Sequence, residues 1–352
     1  MQIFKFLTLL YIFSFITPIF PITCLSNKST ATSWFFLLKY PRKTQQLVGQ
    51  ENKYAYFDVS MKTSKFLLRD KFIDDSGEAL FETLSQINHD KNLQIIAWND
   101  QPADDKASSS NSAHSKGIIA YDSHEKNAIY IVHSMPKYPA FNSDGTIEIL
   151  IPTAERIYGQ NVLCMSLSDD NLDKIAQGLD IIGSTIYFNN FKEASLKNLF
   201  TFSKDESPRK KNKTLNIRFN VNNFPFVAFF KNPYFDTGFI FEDVMIPYLN
   251  SNLFVESWGR PYQASSCNKQ YQCLNIRTIK IEADDFGIWS NSGDHSKWGI
   301  SQTGNWICSG DMNRMVSQAK RGGAFFCFQD KELWTALFQA ISTKDSCGAK
   351  RV

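Results

Sequence analysis

The sequence predicts a mixed α/β (α+β) fold in two echoing halves, each offering one His-x-Lys motif, and the two motifs brought together would make one compact cationic site. Three observations predict it. The tripeptide His-Ser-Lys occurs twice, as His114-Ser115-Lys116 and as His295-Ser296-Lys297. Each copy leads into an apolar run, a short polar turn and a second apolar run: Gly117 to Tyr121 then Ala128 to Val132, and Trp298 to Ser301 then Trp306 to Cys308. Both settings read as strand, turn and returning strand. Strand-like runs elsewhere are mixed with stretches of helical spacing. Residues two apart on a strand face the same way, so each half offers an imidazole beside an ammonium. A lone His-x-Lys arises readily by chance. Two copies with the same middle residue in matching settings argue for a shared function.

Met1 to Lys5 carries one positive charge, and the run from Phe6 to Phe20 is almost wholly apolar before Pro21. That pattern describes a secretory signal peptide over residues 1–21, cleaved shortly before Cys24. It is too short and too Pro-interrupted for a membrane span. Ser33 to Tyr40 reads as a buried strand and Tyr54 to Val59 as another. Leu80, Phe81, Leu84 and Ile87 fall at helical spacing, so a helix begins near Gly77 or Glu78. Leu93 to Trp98 is a strand, and the Ser-rich stretch from Asn99 to Ala113 is a flexible surface loop that delivers the chain to His114. The returning strand ends at His133 before Pro136 and Pro139. Leu172, Ile175 and Leu179 mark a short helix. The Lys-rich stretch from Ser203 to Thr214 is a solvated connection. It divides an N-terminal half (residues 22–205) from a C-terminal half (206–352) of one domain.

In the second half, Leu215 to Val221 alternates as a strand and Phe224 to Phe230 is an aromatic one. Glu242 to Leu249 reads as helical around Pro247. Asp284-Asp285 precedes the second His-Ser-Lys, and Ala324 to Phe328 is a further strand. A helix from Glu332 to Ile341 closes the fold. The 352 residues include 30 Phe and 7 Trp, enough apolar mass for a large core. The formal charge of +3 excludes a strongly basic nucleic-acid binder at neutral pH, although five histidines add positive charge in acid.

Seven cysteines follow the apolar leader: Cys24, Cys164, Cys267, Cys273, Cys308, Cys327 and Cys347. None shows the Cys-x-x-Cys spacing of a zinc site, so they read as a secreted disulfide set with one left over. Sequons at Asn27 and Asn212 fit the same route as glycosylation sites. The acidic pairs Asp74-Asp75, Asp104-Asp105, Asp169-Asp170 and Asp284-Asp285 read as solvated carboxylates rather than metal ligands.

Two imidazoles and two ammoniums suit phosphodiester cleavage without a metal or cofactor. The lysines stabilise charge on the non-bridging oxygens. A neutral histidine attacks phosphorus and forms a phosphohistidine. A protonated one gives its proton to the leaving oxygen and then activates water.

Here the chain resembles the deoxyribonuclease II family. The resemblance is carried by His114-Ser115-Lys116-Gly117, the stretch Ile131 to Pro139, Asp294-His295-Ser296-Lys297-Trp298, Gly310-Asp311-Met312-Asn313-Arg314 and Arg321-Gly322-Gly323. It implies a phospholipase D-like fold with two pseudo-symmetric halves. It further implies an acid endonuclease of lysosomes or secretions that cuts DNA without metal and leaves 3′-phosphate ends. In the family the His and Lys of both motifs are catalytic, which carries onto His114, Lys116, His295 and Lys297. His114 is expected to be the nucleophile and His295 the general acid. Asn313 and His133 follow as second-tier substrate-binding candidates. The family pattern pairs Cys24 with Cys164, Cys267 with Cys347, and Cys308 with Cys327. The rival expectation is a weak or inactive secreted effector that binds DNA or a host protein. Its mark is a missing His or Lys, and all four are present.

Overall fold

A computed structural model of the chain describes residues 21–41, 54–104, 112–204, 214–235, 238–259, 261–281 and 288–347. Residues 1–20 of the expected signal segment, the expected boundary at 205–206, the Asn212 sequon and Asp284-Asp285 lie outside the described residues. The fold is a mixed α/β one, dominated by two large sheets.

The first sheet has 8 strands, in the order Ile186–Asn189, Gln94–Asn99, Lys116–Asp122, Asn127–His133, Gln160–Ser168, Trp34–Lys39, Tyr54–Asp58 and Leu67–Arg69. The second has 9. Its path runs Thr214–Val221, Phe224–Lys231, Gly323–Gln329, Trp306–Gly310, Trp298–Ser301, Leu253–Glu256, Cys273–Lys280 and Ile288–Ser290, with Ile341–Lys344 also paired to Cys273–Lys280. In both sheets the hairpin that follows a His-Ser-Lys is central. In both, the next strand on the same side leads into a helix, Asp169–Ile182 after Gln160–Ser168 and Lys331–Ala340 after Gly323–Gln329.

The sheets pack face to face, and alternation of side chains shows how. On Trp34–Lys39, Trp34, Phe36 and Leu38 enter the shared core while Phe35 and Leu37 enter an outer one. On Gly323–Gln329, Ala324, Phe326 and Phe328 face the shared core, and Phe325 and Cys327 the outer one. Burial on both faces explains why these strands read as unbroken apolar runs. Aromatic rings join the sheets. Trp34 lies 4.7 Å from Phe328 and Tyr130 lies 5.2 Å from Phe326, centroid to centroid. Helix Asp169–Ile182 is started by Ser168, whose hydroxyl accepts from the Asn171 N–H, and is stopped by Gly183 at φ 75°. Its Gly178 lets it close on the ring of Phe230, where a Cβ would come within 2.1 Å.

Glu242 to Leu249 is helical as expected, although its first turn, Ile240–Met245, is wound as a π-helix. The three disulfides join Cys24 to Cys164, Cys267 to Cys347 and Cys308 to Cys327, and Cys273 remains a buried thiol. Beside it lies a fully buried arginine. Arg314 donates to Glu242 Oε1 (3.0 Å from Nε), to Asn275 Oδ1 (2.7 Å) and to the carbonyls of Gln263 and Ala264 (2.8 Å each).

Three expectations need correction. Asp74 is not a solvated carboxylate. It is 1% exposed, pairs with Arg156 at 2.7 Å and accepts from the Ile151 N–H. The stretch after Trp98 does not begin as surface loop, because Asn99 and Asp100 are buried. Asn27 turns its amide inward: Oδ1 accepts from Tyr54 Oη and the Ala79 N–H, and the Nδ2 that a glycan would occupy is buried.

Candidate active site

His114 precedes Lys116–Asp122, of which Lys116 is the first residue, and His295 and Lys297 both precede Trp298–Ser301. Each histidine therefore stands outside its strand, and the expected shared facing of each pair is not set by strand alternation alone. All four residues line one cleft of about 440 Å³. Asp100, Trp258, Asn313 and Arg321 line it too. The two lysines are almost fully buried and the two histidines half-buried.

His114 is held from both ends. Its backbone N–H donates to the carbonyl of Gly322 at 2.9 Å, and its Nδ1 meets the carbonyl of Asp311. A carbonyl can only accept, so Nδ1 carries the hydrogen and neutral His114 keeps its lone pair on Nε2. Burial, followed by the charge of Lys116, holds its pKa well below the usual histidine range; Lys297 and Arg321 add to this and Asp100 opposes it. These surroundings favour the neutral form of His114.

His295 has different company. Tyr158 stacks flat on its ring, 4.0 Å between centroids and 11° between planes, and Trp258 lies tilted at 5.5 Å. Ring faces favour a cation over a neutral group. Its backbone N–H donates to the carbonyl of Gly159 at 2.8 Å. Asp294 braces the turn: one carboxylate oxygen accepts from the Ser296 N–H and the other from Trp289 Nε1, both at 2.8 Å.

Lys116 pairs with Asp100, whose other oxygen takes Arg321 at 2.9 Å. Burial alone would raise the Asp100 pKa, but Lys116, His114 and Arg321 overcome it and hold the carboxyl well below its ordinary range. Lys297 donates from Nζ to the carbonyl of His295 and from its backbone to Asn161 Oδ1. Burial first, then Lys116, brings the Lys297 pKa down to about 7. Burial likewise raises Asp311 to about 7, against hydrogen bonds from Ser115 and the Ala324 N–H.

Of the second-tier residues, Asn313 reaches the cleft, and its side-chain oxygen is buried without a protein partner among the described residues. His133 does not line the cleft. It is fully buried at the end of Asn127–His133, its Nδ1 accepts from the Met135 N–H at 3.2 Å, and burial lowers its pKa to about 3. It is a neutral core residue packed edge-on against Tyr138. Asp100, Tyr158 and Trp258 were missed as site residues. Single acidic and aromatic residues inside loops carry no spacing signal; only their contacts in the folded chain, with Lys116 and Arg321 for Asp100 and with His295 for Tyr158 and Trp258, reveal them.

The chain matches the deoxyribonuclease II family over residues 23–347. The chain belongs to the deoxyribonuclease II family. A putative deoxyribonuclease-2 of Burkholderia pseudomallei is 33% identical over 330 residues, covering 89% of this chain and 90% of the relative. Deoxyribonuclease-2-beta of Rattus norvegicus is 27% identical, covering 94% of each. Plancitoxin-1 of Acanthaster planci is 26% identical, covering 93% of this chain and 92% of the toxin. Membership in the deoxyribonuclease II family thus spans both halves and includes all four His and Lys residues of the cleft.

Proposed function

We propose that this deoxyribonuclease II family member is an endodeoxyribonuclease of acidic secretory compartments or secretions, with His114 as nucleophile and His295 as general acid. The observation that carries the reading is the convergence of both His-Ser-Lys motifs on one cleft. The parallel placement of the two hairpins in their sheets supports a phospholipase D-like pair of half-sites.

In this mechanism His114 Nε2 attacks phosphorus and the bond from phosphorus to the 5′-oxygen breaks. His295 gives that oxygen its proton. The phosphoryl group then joins His114 to the 3′-oxygen of the cut strand. His295, now neutral, takes a proton from water, whose oxygen attacks phosphorus and frees His114. The products are a 5′-hydroxyl and a 3′-phosphate. Lys116 and Lys297 neutralise the non-bridging oxygens throughout. The opposite environments of the histidines support the assignment. Three cations around His114 favour its neutral form, and the aromatic faces of Tyr158 and Trp258 favour the cation at His295.

The acid preference follows from sign. Below about 7, Lys297 is charged and Asp311 is neutral; above it, Lys297 loses its positive charge and Asp311 gains a negative one. Falling pH therefore makes the cleft more attractive to phosphate, while burial and the neighbouring cations favour the neutral form of His114. Plasmid cleavage in excess EDTA is expected at pH 5 and not at pH 7.5, with ends that a polymerase extends only after a 3′-phosphatase has acted. Folded, oxidised protein that cuts at neither pH would favour the rival binding protein.

Disulfides and an apolar leader fit an oxidising route outside the cytosol. Among the described residues no helix is long and apolar enough to cross a membrane.

A further inference from the structure

The structure assigns a positioning role to two buried lysines outside the cleft, Lys39 and Lys231: each clamps the loop whose glycine carbonyl holds the catalytic histidine of the opposite half. The inference rests on the reading of His114 and His295 as catalytic.

Lys39 is the last residue of Trp34–Lys39 and is 4% exposed. Its Nζ donates to three carbonyls, those of Tyr40 (3.0 Å), Arg156 (2.5 Å) and Tyr158 (2.8 Å). The residue after Tyr158 is Gly159, whose carbonyl takes the His295 N–H at 2.8 Å. Lys231 is the last residue of Phe224–Lys231 and is fully buried. Its Nζ also reaches three carbonyls, those of Asn232 (3.4 Å), Ala319 (2.6 Å) and Arg321 (2.8 Å). The residue after Arg321 is Gly322, whose carbonyl takes the His114 N–H at 2.9 Å.

The two arrangements correspond position by position. Lys39 sits opposite Gln160, directly after Gly159, and Lys231 sits opposite Gly323, directly after Gly322. An ammonium has three donors and no acceptor, so each clamp uses all of them. A buried charge costs heavily unless it is fully hydrogen-bonded, and an apolar side chain would serve packing alone at less cost. The carbonyls are what call for lysine. The glycines are needed as well. A Cβ on Gly159 would lie 2.4 Å from Asp294 Oδ1, and one on Gly322 would lie 1.9 Å from the Ile182 carbonyl oxygen.

The supports cross over. Lys39 and Gly159 belong to the first half and hold His295 of the second; Lys231 and Gly322 belong to the second and hold His114 of the first. Loosening either clamp lets one histidine drift from its partner. A displacement of about 1 Å can lower the rate about 100-fold.

The test is steady-state cleavage of a defined duplex at pH 5 by the full chain carrying Lys39→Met or Lys231→Met, with His114→Ala and His295→Ala in parallel. Each lysine variant is expected to lose about 10- to 100-fold in kcat while KM stays within about twofold. Lys39→Gln, which keeps two amide donors, is expected between Met and wild type. A kcat within twofold of wild type in the Met variants, or a rise in KM with kcat unchanged, overturns the clamp. If a Met variant does not fold, the matching Gln variant decides: reduced kcat at wild-type KM and melting temperature supports the clamp, and wild-type kcat overturns it. If His114→Ala and His295→Ala still cut normally, the catalytic reading itself has failed; if they are inactive while the lysine variants are normal, only the clamp has.

Discussion

Changing His295 to alanine lowers kcat for DNA cleavage at pH 5 by about 10²- to 10⁴-fold, the usual worth of a positioned general acid, while the fold stays intact. The backbone N–H of His295, not its imidazole, bonds to Gly159, so that anchor survives the substitution. His114→Ala removes the atom that, in the proposed mechanism, bonds to phosphorus, and its loss should be at least as large. The double variant should be no slower than the worse single one, since the two residues act in one reaction sequence. Steady-state rates on a defined duplex, with thermal unfolding of each variant, measure all three. Should His295→Ala retain activity within tenfold of wild type, the two-histidine mechanism is wrong.

A comparable effect on stability is expected at Arg314, far from any reacting atom. Replacing it with leucine leaves Glu242, which is 5% exposed, without its cation, and strips donors from Asn275 and two carbonyls. Breaking a buried pair from one side costs about 3–5 kcal/mol. Urea unfolding should show a loss of unfolding free energy of that size, read from the midpoint shift multiplied by the m-value. Replacing Glu242 with leucine as well should return much of the loss, because no orphan charge remains. A single variant as stable as wild type would mean that water reaches Glu242 and relieves it.

The sequence was legible where one residue type repeats. Unbroken apolar runs located Trp34–Lys39, Asn127–His133 and Gly323–Gln329, because burial on both faces leaves no polar interruption. Gln160–Ser168 and Cys273–Lys280 escaped for the opposite reason. Their polar residues are inside, bonded to distant partners: Asn161 to Ser309 and to the Lys297 N–H, and Asn275 to Arg314. A buried polar residue reads as surface until its partner is known. The site divides likewise. The doubled His-Ser-Lys announced four residues of the cleft, whereas Asp100 reaches Arg321 across 221 residues, and Tyr158 and Trp258 pack on His295 from other loops, which no local pattern records. His133 shows the converse hazard, a histidine in a suggestive place that turned out to belong to the core.

The solitary thiol of Cys273 offers something the three disulfides do not. It is fully buried, and burial together with Glu242 raises its pKa far above the range in which a thiolate forms. Thiol-alkylating reagents in the medium therefore meet no accessible cysteine thiol on the native molecule, and a labelled Cys273 records that this strand has opened. The protein carries its own clock for how often the second sheet comes apart, readable by mass spectrometry without adding any probe to the chain.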